Sequence, residues 1–192
     1  MLALKIALAA FVAVLVPVYW RTYGPSNFLW VSDIGLFLTV AAVWVNHPLP
    51  LGRGVLTALP FEVAWTADYA GRLLSGKRVL GVTDYMFDPE LRLFVRALSL
   101  FHVVVPVLWL GLLLKLGYDP RTLLYQVPLF AAITILTLAL TDPHENINWV
   151  FLPQARNWSA APFVLWVTLY LTLIPLLVFW PLHLLLLRWF AK

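Results

Sequence analysis

The sequence predicts an all-α, polytopic membrane protein: a six-helix transmembrane bundle in which the whole chain, 1–192, forms a single transmembrane domain. Three observations carry that expectation. Hydrophobic residues fill 62% of the 192 positions and charged residues only 11%. Mean hydropathy is +0.88. Apolar runs of about 20 residues recur with few charges, the length a helix needs to cross a bilayer's hydrocarbon. The chain has no cysteine, which excludes disulfides, thiolate nucleophiles and cysteine-ligated metals. Its net charge of +4 comes from basic residues scattered through the loops. That distribution suits anionic lipid headgroups, whereas a nucleic-acid surface would gather them on one face. Membrane lipids are therefore the expected partners, nucleic acid is not, and a protein partner within the membrane is left open.

Marking where apolar runs stop at charged and turn residues gives spans at 2–20, 28–46, 54–73, 94–115, 122–141 and 162–188. The first contains a signal-like ALAAFVAV stretch, but no small-x-small cleavage site follows before Trp20 and Arg21, so it reads as a retained helix. The second, SNFLWVSDIGLFLTVAAVWVN, is apolar except where Ser32 and Asp33 sit about one turn from its start. The third carries Glu62, Thr66 and Tyr69 at helical spacing, a polar seam read as packing toward another helix. Gly35 and Gly71 read as places where helices approach closely. The loops at 74–93 and 142–161 mix turn residues with aromatics and are expected at the membrane interface. Within the first, Asp88 reads as an N-cap with Pro89 at the first helical position. Trp20, Trp30, Trp44, Trp149, Trp158 and Trp189 lie near span ends, where interfacial aromatic belts form. With an even number of spans, Lys5, Arg53, Lys115, Arg121, Arg188 and Lys192 share the side of the termini. Seven basic residues fall on the other side, five of them in or beside the 74–93 loop, and that cluster tips this loop toward the cytoplasm.

Ionisable residues inside spans are costly and mark functional sites. At 1.5 Å of rise per residue, Ser32 and Asp33, Asp68 near the end of the third span, and His102 in the fourth fall in one leaflet, bordered by the two long loops. A serine hydroxyl becomes nucleophilic when a base accepts its proton and a carboxylate orients that base. Ser32 is the expected nucleophile and His102 the base, with either Asp68 or Asp33 holding the imidazole. Adjacent helical residues diverge by about 100°, so Ser32 is expected to face a cavity while Asp33 turns to a neighbouring helix and pairs with Arg96 or a hydroxyl. Asn146 or Asn148 is expected to supply an oxyanion donor from the 142–161 loop. Asp142, His144 and Glu145 lack the helical spacing of metal ligands, so no metal is expected. His47 and His183 fall toward the opposite face. That position leaves His183 unable to join His102 in bis-histidine haem ligation, and no cofactor is expected.

The stretch TYGPSNFLWVSDIGLFLTV resembles the second-helix start of a superfamily that contains the androgen-induced-gene hydrolases of fatty acid esters of hydroxy fatty acids, ether-lipid acyltransferases, and YwaF-like bacterial membrane proteins. The resemblance implies six spans. It also implies that Ser32-Asp33 stands where the acyltransferase and bacterial branches carry Cys-Asp; the hydrolase branch uses a threonine slightly earlier, which this chain lacks. SLFHVVVP resembles the segment bearing the family's catalytic histidine, here His102, and HENINWVFLP implies that Asn148, Trp149 and Pro153 line the site. Together these readings give an intramembrane lipid hydrolase or acyltransferase acting on a fatty acyl ester, multipass in a bacterial inner membrane. A reading from a different class keeps the same polar residues as packing groups of a non-enzymatic accessory or lipid-binding scaffold protein.

Overall fold

Apolar segments satisfy their backbone polar groups internally as helices, because hydrocarbon offers no partners. The computed structural model describes residues 1–151 and 160–192; Pro153, Arg156 and Trp158 lie outside the described residues. The described residues form eight α-helices: α1 (Leu2–Tyr23), α2 (Val31–Val45), α3 (Pro48–Ser75), α4 (Leu93–Leu98), α5 (Phe101–Leu116), α6 (Thr122–Leu140), α7 (Ala160–Ile174) and α8 (Trp180–Phe190). Short 3-10 segments at Pro25–Leu29, Asp84–Phe87 and Ile147–Trp149 join them, and a π turn at Pro175–Phe179 links α7 to α8.

Among the described residues, four helical stretches are long and apolar enough to cross a membrane: Leu2–Tyr23, Leu93–Leu116, Thr122–Leu140 and Ala160–Phe190. Their flanks are apolar and exposed, as at Val107, Leu124, Leu140 and Leu177. These features are compatible with an integral membrane protein. The other two expected spans fall short of that standard for different reasons. With 15 residues, α2 reaches about 22 Å, less than the roughly 30 Å of hydrocarbon. Helix α3 has 28 residues but carries Arg53, Glu62, Asp68 and Arg72 along its length.

Helix ends follow local chemistry. Asn46 takes the left-handed conformation that stops α2. His47 then caps α3 by accepting the Leu49 N–H at Nδ1, 3.1 Å away, with Pro48 at the first helical position. Asp88 forms a tight turn by accepting the Glu90 N–H at 2.9 Å, and the next helix waits until Leu93. This corrects the expected N-cap: the carboxylate serves a turn five residues early. A break at Ser99–Leu100 separates α4 from α5 and puts His102 in the first turn of α5.

The core lies where α2 runs along α3, the most extensively packed pair. Gly35 and Gly54 permit the approach: a Cβ at Gly35 would sit 2.9 Å from the Ala58 Cβ, and one at Gly54 3.0 Å from the Gly35 carbonyl oxygen. Gly71 instead meets Val79 of the following loop. Trp109 of α5 closes the core, donating Nε1–H to Thr39 Oγ1 at 2.6 Å. The far end is tied by a hydrogen bond between the Tyr118 hydroxyl and His183 Nδ1 at 2.7 Å and by the Tyr118 N–H donating to the Phe190 carbonyl.

Candidate functional site

At the end of the molecule where α2 and α5 begin, the helices diverge around a cavity of about 540 Å³. Its floor is Glu62 of α3, fully buried and directed at α5. His102 Nδ1 lies 2.6 Å from Glu62 Oε2, with side-chain exposures of 12% and 0%. An ionised carboxylate can only accept, so in the neutral imidazole it favours the tautomer with hydrogen on Nδ1, in which Nε2 is the acceptor. Two rings fix the imidazole plane: Trp65 stacks on it with centroids 4.5 Å apart, and Phe101 at 4.1 Å. Thr66 Oγ1 donates to the His102 carbonyl at 3.2 Å. The Glu62–Thr66 seam does face another helix, but its acid orients the histidine, a role the sequence reading gives to Asp68 or Asp33.

Asp68 is engaged elsewhere. Its carboxylate accepts the backbone N–H groups of Leu80, Gly81 and Thr83 at 2.6, 3.2 and 2.8 Å, and the Thr83 hydroxyl at 2.7 Å. Four donors saturate it, so its role as a catalytic partner of His102 is corrected to that of an anchor for the 76–92 loop. Arg72 and Arg78 pair with Asp84 in the same loop. The anchored loop brings Tyr85 to the cavity, where its hydroxyl accepts Trp65 Nε1–H at 3.1 Å and burial pushes its pKa up.

Ser32 and Asp33 both border the cavity. The Ser32 side chain makes no hydrogen bond among the described residues. Asp33 is 3% exposed; its Oδ2 accepts Asn27 Nδ2–H at 3.1 Å, and its Oδ1 has no partner among the described residues. The expected Asp33–Arg96 pair does not form; Arg96 donates instead to the Met86 carbonyl at 3.0 Å. A second serine, Ser99, shares a 2.7 Å hydrogen bond with the Tyr19 hydroxyl at the cavity wall. Neither residue carries a sequence signal beyond its apolar surroundings.

The 142–151 segment contributes differently from expectation. Trp149 borders the cavity, stacked on Phe61 and edge-on to Trp30. Asn148 does not border it: Oδ1 accepts the Val31 N–H at 2.9 Å and Nδ2–H donates to the Leu29 carbonyl at 2.8 Å. Asn146 spends its Oδ1 on the Phe151 N–H at 3.0 Å. The amide donor that the expected oxyanion role needs is thus spent on the Leu29 carbonyl in Asn148, and neither asparagine is among the residues that border the cavity. No protein-family model, curated protein or solved structure matches this chain.

Proposed function

We propose that this protein is an intramembrane hydrolase or acyltransferase acting on a fatty acyl ester, with Glu62–His102 as an oriented base and Ser32 as nucleophile. The observation that supports it is the 2.6 Å Glu62–His102 pair bordering the same cavity as Ser32. Ser32 Oγ attacks the acyl carbonyl while its proton passes to His102 Nε2. The ester C–O bond then breaks, and that proton leaves with the departing alcohol. Water or a second alcohol resolves the acyl-serine by the reverse sequence. Catalytic hydrogen bonds commonly tighten only with substrate present, which accommodates an unbonded Ser32. The resemblance at residues 22–40 and 99–106 supports the same reading. It carries with it six spans, with α2 and α3 completing the bundle, and a bacterial inner membrane as the location.

Ser32's lack of a hydrogen bond to His102 favours the non-enzymatic scaffold as the second reading. A fluorophosphonate probe separates them in the detergent-purified chain. Labelling that is lost in Ser32→Ala and kept in Ser99→Ala supports the first. Labelling that survives Ser32→Ala removes Ser32 as nucleophile, and absence of labelling in the native chain favours the scaffold.

A further inference from the structure

Two acids border the cavity, and one oxygen of each, Asp33 Oδ1 and Glu62 Oε1, has no hydrogen-bond partner among the described residues, in residues 3% and 0% exposed. Burying such oxygens unpaired is unfavourable, and more so when they are charged. Both residues border one cavity, so a cation held there lies beside both carboxyl groups. Its walls are aromatic: Trp30, Phe61, Trp65 and Trp149 border it together with the two acids. Arg78, which also borders it, is paired with Asp84. Ring faces carry negative electrostatic potential and attract organic cations. Among the described residues, no three His, Cys, Asp or Glu side chains converge to hold a metal ion. At about 540 Å³, the cavity falls within the roughly 300–1,000 Å³ common for small-molecule sites.

We infer that the cavity binds an organic ammonium group, with Asp33 as its counter-ion and the tryptophans as its cage. This names the headgroup class of the acyl substrate and rests on the reading above. Asp33 is the better counter-ion, because Glu62 already holds His102 through Oε2 while Asp33, among the described residues, is tied only to the amide of Asn27. An ammonium group held there lies beside Ser32, the residue adjacent to Asp33, so headgroup recognition and acyl attack share one cavity.

The test is a titration of the detergent-purified full chain, read by tryptophan fluorescence, with choline and with its neutral tert-butyl isostere. Saturable binding of choline and none of the isostere is expected. Asp33→Asn should weaken choline binding by roughly tenfold or more, as loss of a desolvated charge partner does. Trp149→Ala, at a half-exposed position that the fold tolerates more readily, should weaken it by roughly fivefold through the lost cation–π contact. Equal binding of the isostere, or unchanged choline affinity in either variant, overturns the inference. Repeating the titration in nanodiscs tells a lipid headgroup from a free cation. Choline that binds more weakly in phosphatidylcholine discs than in discs of an uncharged glycolipid, whose headgroup has no ammonium and no net charge to concentrate cations, is competing with bilayer headgroups, whereas equal affinity identifies a soluble ammonium ligand. Choline binding without fluorophosphonate labelling leaves the cation site standing and removes the hydrolase reading. Labelling without choline binding does the reverse.

Discussion

Asn148 caps the first turn of α2 from 117 residues away, its Oδ1 accepting the Val31 N–H at 2.9 Å while its amide donates to the Leu29 carbonyl. Helix α2 begins without a local side-chain cap. The orphan donor of its first turn is thus satisfied by a residue whose own φ of 55° lies in the left-handed region that asparagine tolerates. Asn148→Ala removes both bonds and retains the strained φ. It should destabilise the protein by about 1–3 kcal/mol, measured as a lower unfolding midpoint in detergent. Asn148→Asp keeps the acceptor for Val31 and should lose less. Equal losses in the two variants would show that the cap contributes nothing.

Glu62→Gln tests the base. The amide occupies the same volume but can donate as well as accept, so it also permits the other imidazole tautomer, in which Nε2 carries the hydrogen and cannot accept from a nucleophile. Fluorophosphonate labelling should fall by roughly a hundredfold or more, by analogy with the loss of the orienting carboxylate in serine triads. Circular dichroism and the gel-filtration profile should stay native. Labelling at the native rate in a folded Glu62→Gln chain would leave His102 without an oriented role.

How much of this was legible beforehand depends on the range of each interaction. Helix positions follow from apolar runs, a local property, and the shared depth of Ser32, Asp33 and His102 follows from rise per residue. The partner of His102 does not, because Asp68 and Glu62 lie six residues apart on one helix and only the path of the 76–92 loop decides which is free. Backbone donors at Leu80, Gly81 and Thr83 claim Asp68, and no composition or period encodes that. The Asn148–Val31 bond is equally opaque, since it pairs residues from distant parts of the chain. The shortfall of α2 and α3 as spans was readable in principle: one is short, and the other carries four charges.

Asp68→Ala should release the loop it anchors. Four hydrogen bonds to one carboxylate hold residues 80–83 beside α3, and exposed Lys77 and Arg78 stand just before them. Bonds to a charged acceptor are each worth about 1.5–3 kcal/mol, so the variant should be cut by trypsin after Lys77 and Arg78 many times faster than the native chain. Asp68→Asn, which keeps an acceptor oxygen, should fall between. Native-like resistance in Asp68→Ala would return that residue to the candidates for a role in the cavity.

Asp119, in the turn between α5 and α6, supplies a pH dependence away from the cavity. Hydrogen bonds from the Arg121 guanidinium and backbone N–H hold its carboxyl below the usual carboxylate value of about 3.9. A group whose pKa is depressed on folding contributes stability that is fully present above its unfolded value and is lost as pH falls through the folded one. The unfolding midpoint should therefore drop as the pH is lowered below about 4, and Asp119→Asn should flatten that part of the profile. An unchanged acid limb in Asp119→Asn would place the dependence on other carboxylates.

The contact between α2 and α3 gives the strictest test of the packing, because it has no room for even one added carbon. In Gly35→Ala the new Cβ meets the Ala58 Cβ at 2.9 Å, Trp109 Cζ2 at 3.3 Å and the Gly54 carbonyl oxygen at 3.4 Å. Carbon pairs prefer about 3.5–4.0 Å. Alanine gains about 1 kcal/mol over glycine in helix propensity, but overpacking costs about 1–3 kcal/mol, and two of the three neighbours belong to backbone or to a buried ring that cannot swing away. The variant should be less stable than the native chain despite its better propensity. Ala58→Gly removes the closest neighbour, so the double variant should be more stable than the sum of the single effects by about 0.5–3 kcal/mol in a double-mutant cycle. A cycle with no coupling would mean that α2 and α3 do not meet at Gly35 and Ala58.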